Sequence, residues 1–553
     1  IDWWQKMDAA SPMVKMITGG PTDAGYPLSL VLVSAEGDFD PASWKRKNKV
    51  VIFINNGIHP GEPDGIDASM LLVRDWLPFK TAYSKNKVAW TNQDFPKNVV
   101  LAIIPIYNIG GCLNRSPNYR IDQNGPTQKG FRGNSQNLDL NRDFIKADSK
   151  EALSFAKLYT TYDPDIFIDN HVSNGADYQH VMTLLTSQHN KLGGPMGKYL
   201  NEVMEPALYR MMADGSNSAP YPVVPYVNHW GAKTPDQGWS QYWDSPRYSS
   251  GYATLWNSFA FVPETHMLKP YAQRVDATRK LMESFIQFAA SNASAIKKLR
   301  TEQQTTQQRA TSFPIAWKLD TTQKTMIPFK GYEPGYKTSI VSGQQRLFYD
   351  RTKPFTKQVA FYNSYKDTLS VTKPAAYVIP QGWWKVIERL QANGIQMRRL
   401  SKDTTISVEV YTITKYNSGA RPYESHHPNN GVQVRGTTQD IRFQKGDCLI
   451  TTAQPGVRFL VETLEPQAVD SYFAWNFFDA ILQQKEGFSD YVFEETAASY
   501  LQAHPAIKAA LEERKAKDAA FAKDGAAQLE FIYKASPYSE PVYMRYPVYR
   551  LMK

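Results

Sequence analysis

The chain has 553 residues, too many for one ordinary core and enough for two or three domains. Hydrophobic residues at 42% and charged residues at 21% describe a folded chain and exclude a disordered one. The formal net charge of +10 is scattered over short groups such as Lys45-Arg46-Lys47, with no long basic run to track a phosphate backbone, so nucleic acid is not an expected partner. No apolar stretch is long enough to span a bilayer.

The chain opens Ile1-Asp2-Trp3-Trp4 without an initiator Met, which either a removed signal peptide or a trimmed sequence explains; the first predicts a secreted or periplasmic protein. The two cysteines, Cys112 and Cys448, lie too far apart in sequence to suggest a zinc ribbon or a disulfide framework. Residues 49–54 read as a buried strand. Residues 65–77 have helical periodicity, with Met70, Leu71, Val73 and Leu77 available to a core. A second apolar strand covers 98–106 and stops near Pro105. Then come a helix over 146–162, a strand over 164–169, a helix over 192–214, a strand over 259–262 and a helix from 271 to about 296. Strands alternating with helices predict an α/β domain with a mostly parallel or mixed sheet. The polar run Thr301–Gln308 is either a linker or the polar end of the long helix. Beyond it the sequence predicts strands at 358–362 and 406–411, helices at 383–393 and 474–484, and an Ala-, Glu- and Lys-rich helix at 506–530. The expected organisation is an α/β catalytic domain over 1–311, a β-rich accessory domain over 312–469 and a helical segment over 470–553.

His59-Pro60-Gly61-Glu62 follows the first strand, on a loop that also contains Asn55-Asn56-Gly57. An imidazole and a carboxylate at this spacing can turn toward one point and leave room for a third ligand. Alone, the pattern is a polar turn as readily as a ligand pair. The strand over 165–169 leads to His171, and the strand over 259–263 leads to Glu264. Ligands gather where the strands of an α/β sheet end, so these residues can meet in one crevice. Between them lies the polar run Asn137-Leu138-Asp139-Leu140-Asn141-Arg142-Asp143.

The ordered set His-Pro-Gly-Glu, Phe131-Arg132-Gly133-Asn134, Leu138-Asp139-Leu140-Asn141-Arg142, Asp169-Asn170-His171 and Glu264 resembles the zinc carboxypeptidases of the A and B type, over about residues 20 to 295. The resemblance implies a mixed, eight-stranded type of sheet flanked by helices. It also implies one zinc ion per chain, held by His59, Glu62 and His171, with Asp139 orienting His59. Arg132 would polarise the scissile carbonyl, Asn141 and Arg142 would grip the substrate carboxylate, and Glu264 would be the catalytic base. A tyrosine over the substrate would be Tyr248, with Tyr252 as the second candidate. Digestive members carry an arginine before the metal glutamate, where this chain has Gly61.

The expected activity is hydrolysis of a peptide bond near a free carboxylate, with a peptide or amide as partner. The alternatives are a deacylase acting on acylated amino acids or cell-wall peptides, and an inactive peptide-binding module. Other histidines have other expected places. His180, His189 and His229 read as surface or core residues, His266 as pointing the same way as Glu264, and His426-His427 as solvent exposed.

Overall fold

The computed structural model describes residues 1–76, 95–216, 218–229 and 233–553; Leu77, expected on the first long helix, lies outside them. Its largest sheet has nine strands: β1 Val14–Gly20, β2 Leu28–Ser34, β3 Val50–Asn55, β4 Val99–Ile104, β5 Ile166–Asp169, β6 His171–Ser173, β7 Met182–Thr186, β8 Val224–Pro225 and β9 Phe259–His266. Eight of them run in the order β1-β2-β4-β3-β5-β9-β7-β8, and β6 continues the edge of β9. The centre, β4-β3-β5-β9, is parallel, and the pairs β1-β2, β2-β4 and β9-β7 are antiparallel. The sheet is mixed and flanked by helices, as expected.

β3 and β4 are buried throughout, because both faces of the sheet are covered. Alternate side chains divide between two cores. Val50, Ile52 and Ile54 face one side with Val99, Leu101 and Ile103, against the helices Asp64–Trp76, Glu205–Ala213 and Tyr271–Arg309. Val51 and Phe53 face the other with Val100, Ala102 and Ile104. This second face meets the helices Lys150–Tyr162 and Ser249–Leu255, and also Ile379, Leu390, Phe459, Trp475 and Tyr546 from far along the chain. One core therefore draws on residues 28 to 548.

Several elements differ from expectation for local reasons. The helix expected from 146 begins at Lys150, capped by Ser149. Lys146 is instead buried in an ion pair with Asp143 and Asp148, and Ala147 has φ +46°. The Gln/Thr-rich run is the end of the helix Tyr271–Arg309 and not a linker. Residues 474–484 form turns and one short 3-10 helix, Asp479–Leu482. Asn476 is left-handed there, the Ala474 carbonyl accepts from Asn429, and Trp475 and Phe478 are buried. The helical run over 506–530 is two helices, Pro505–Lys517 and Gly525–Ala535, with Asp524 capping the second.

The later residues add a six-stranded sheet. Its short strand Tyr549–Leu551 lies between Ala376–Ile379 and Thr404–Ser418, antiparallel to both. Two long hairpin strands, Thr325–Thr338 and Gln345–Tyr362, pack near β6 and β7. No helix among the described residues is long and apolar enough to cross a membrane.

Candidate metal centre and active-site cavity

The loop after β3, the start of β6 and the later half of β9 bring the predicted residues together. The loop after β3 carries His59 and Glu62, β6 begins with His171, and Glu264 on β9 stands in register with His171. The candidate ligand atoms of His59, Glu62 and His171 lie within 4.8 Å of one another, and all three residues are buried. Both imidazoles present Nδ1 to Glu62, at 3.3 Å for His59 and 2.9 Å for His171. Each Nε2 turns outward to a carboxylate: His59 to Asp139 at 2.9 Å and His171 to Asp169 at 3.0 Å. His59 Nδ1 is buried and has no hydrogen-bond partner. Two imidazoles backed by carboxylates, one further carboxylate and an unpartnered inward nitrogen form a donor set that fits a zinc ion.

Burial alone would push the Glu62 carboxyl up, but Arg120, His59 and His171 hold it well below the usual carboxylate range. Arg120 donates to Glu62 Oε1 at 2.7 Å and to the Val172 carbonyl at 2.8 Å. A Cβ on Gly61 would lie 2.8 Å from Arg120 Cδ and from the Gly130 carbonyl oxygen. Only glycine at this position lets Arg120 reach the glutamate. Burial also opposes ionisation of Asp139, and His59, Arg132 and Arg142 overcome it, leaving Asp139 a carboxylate. Burial, reinforced by nearby Glu62, pushes Glu264 up to about 8.

His59, Glu62, Arg120, His171 and Glu264 line a cavity of ≈ 460 Å³ together with Arg132, Asn141, Arg142, Tyr248, Tyr226, Tyr242 and Asp244. Arg132 donates to Asp139 Oδ2 at 2.9 Å, and about half of its side chain stays exposed. Asn141 Oδ1 accepts from Ser249 N, and the Arg142 guanidinium lies 4.6 Å over the Tyr248 ring. Tyr248 is thus on the wall. Tyr252 faces the core, with its hydroxyl on Asn393 at 2.6 Å.

His266 is fully buried but outside the cavity: it lies against Tyr178, and its Nε2 meets the Ala176 carbonyl. His426 is not a free surface residue, since it pairs with Asp148 at 2.7 Å; His427 is exposed.

Sequence reasoning missed Asp169, Arg120, Tyr226, Tyr242 and Asp244. Asp169 had a signal in its own motif, two residues before His171. Arg120 had one in the empty side-chain position at Gly61.

Residues 1–194 match the family described as zinc carboxypeptidase. Carboxypeptidase 2 of Trichophyton tonsurans is 27% identical over 104 residues, 19% of this chain and 19% of that protein. Carboxypeptidase 2 of Trichophyton equinum matches to the same extent, so the match spans about a fifth of the length of either relative. Among solved structures, a putative carboxypeptidase A from Shewanella denitrificans has 17% identity and a TM-score of 0.36, covering 53% of this chain and 68% of that one. A metallo-carboxypeptidase from Pseudomonas aeruginosa, in complex with (2-guanidinoethylmercapto)succinic acid, has 12% identity and a TM-score of 0.37, with 53% and 68% coverage.

Proposed function

We propose that the protein is a zinc metallocarboxypeptidase that hydrolyses a peptide bond beside a free carboxylate, using one zinc ion per chain. The observation that carries this reading is the trio His59, Glu62 and His171, with both outer imidazole nitrogens backed by carboxylates and Glu264 in register beside it. Zinc held there supplies Lewis acidity for water and the scissile carbonyl. Asp139 and Asp169 fix the rings so that both Nδ1 atoms turn inward. Arg120 keeps Glu62 ionised and therefore able to bind a cation. Glu264 takes a proton from the attacking water and delivers it to the leaving amine. Arg132 donates to the developing oxyanion. Asn141 and Arg142 hold the terminal carboxylate across the cavity, with Tyr248 packed on the guanidinium.

The test is incubation of zinc-loaded protein with a mixed peptide library, reading the cleaved bond by mass spectrometry. Release of single residues from free carboxyl ends is expected. Cleavage of carboxyl-amidated peptides at the same rate, or none of either kind, overturns the proposal.

A further inference from the structure

The loop between the strands Thr404–Ser418 and Asn429–Phe443 reaches back about 280 residues to the cavity wall. Glu424 Oε2 accepts from the backbone N–H of Asp139 at 2.9 Å, and Tyr423 Oη accepts from Arg142 Nε at 3.1 Å. The Tyr423 ring stacks on Trp475 with 6.1 Å between centroids and 20° between planes. Arg247 lies 4.9 Å from the Trp475 ring and 5.6 Å from the Tyr423 ring, and is held by Asp470 at 2.7 Å. Glu424 and Ser425 have φ of +49° and +67°, a conformation that costs energy for non-glycine residues and is held here by these contacts.

Arg142 is therefore fixed on several sides. Its Nε is on Tyr423, its Nη1 donates to the Asn141 carbonyl at 2.8 Å, and its plane lies over Tyr248. Nη2 is left without an acceptor among the described residues, on a side chain that lines the cavity.

We propose that Tyr423 is a positioning residue of the substrate-carboxylate subsite: by accepting from Nε, it turns the Nη edge of Arg142 toward the bound carboxylate. This rests on the carboxypeptidase reading above. A guanidinium tethered at one nitrogen loses less freedom on gripping a carboxylate, so the gain belongs to binding and not to the chemical step.

The test uses the full zinc-loaded chain and an N-acylated dipeptide, either with a free carboxylate or as its carboxamide. Tyr423→Phe keeps the stack on Trp475 and removes the acceptor. KM for the acid should rise about tenfold with kcat nearly unchanged, while the slow turnover of the amide stays as it was. In an Arg142→Ala background the same substitution should add no further penalty, which a general loosening of the fold would not reproduce. Unchanged KM in Tyr423→Phe, or a full tenfold penalty in the Arg142→Ala background, overturns the inference and leaves the carboxypeptidase reading standing. A wild-type protein that does not prefer the acid overturns both.

Discussion

Replacing His180 by glutamine is expected to flatten the acid side of the stability profile. His180 is buried; its Nδ1 donates to the Pro222 carbonyl at 2.8 Å, and its Nε2 accepts from Lys330 N at 3.2 Å. A proton on Nε2 would face another donor, and burial pushes the imidazole down to about 4 from its ordinary 6.5. As pH falls below 6.5 the unfolded chain takes up the proton first, so this contribution to stability is complete above 6.5 and is lost on the way down to about 4. Between about pH 7.5 and about pH 5 the loss is about 2 kcal/mol. Half-buried Glu205 and buried Asp244, pushed up to about 7 and about 6, contribute the opposite slope over part of this range, so the readout is the difference between variant and wild type. Urea unfolding at the two pH values should show wild type losing about 2 kcal/mol more than His180→Gln. Parallel pH dependence in the two proteins would refute the assignment of a neutral, doubly bonded His180.

Glu264→Gln should lower turnover by roughly a hundred- to ten-thousand-fold while metal content, read by elemental analysis, stays near one per chain. His171→Ala and Glu62→Gln should instead lose the metal. Asp169→Asn should weaken zinc affinity by about ten- to a hundredfold in a chelator competition, since it removes the carboxylate behind His171. A chain cut after residue 311 should fail to give a cooperative melt, because it strips Phe459, Trp475 and Tyr546 from one sheet face, at about 1.5–3 kcal/mol for each such side chain.

The parallel centre of the sheet was legible because β3, β4 and β5 are short apolar runs with helices between them, the pattern of strands covered on both faces. The grouping of His59, Glu62, His171 and Glu264 was legible because each follows an apolar run that reads as a strand, although β9 continues through Glu264 to His266. What escaped was set by contacts distant in sequence. Tyr248 is the extended residue just before the helix Ser249–Leu255 and Tyr252 lies within that helix, and nothing in the local sequence says which of the two faces the core. Residues 474–484 depart from the expected helix because Trp475 and Phe478 fill a core shared with the nine-stranded sheet, and that burial outweighs local preference. His426 looked like a loop histidine, because its partner Asp148 lies 278 residues away.

The strand Tyr549–Leu551 sits inside a sheet, between partners that precede it by well over a hundred residues, and Arg550 there is buried against Glu465. On a ribosome adding about 5–20 residues per second, the nine-stranded sheet is synthesised tens of seconds before the cover of its second face. During that interval Phe53, Val100 and Ala102 have no lasting partners from the later half of the chain. Nascent protein should accordingly be a client for holding chaperones until synthesis has passed residue 551, and translation stalled in the accessory region should yield aggregates instead of an active fragment.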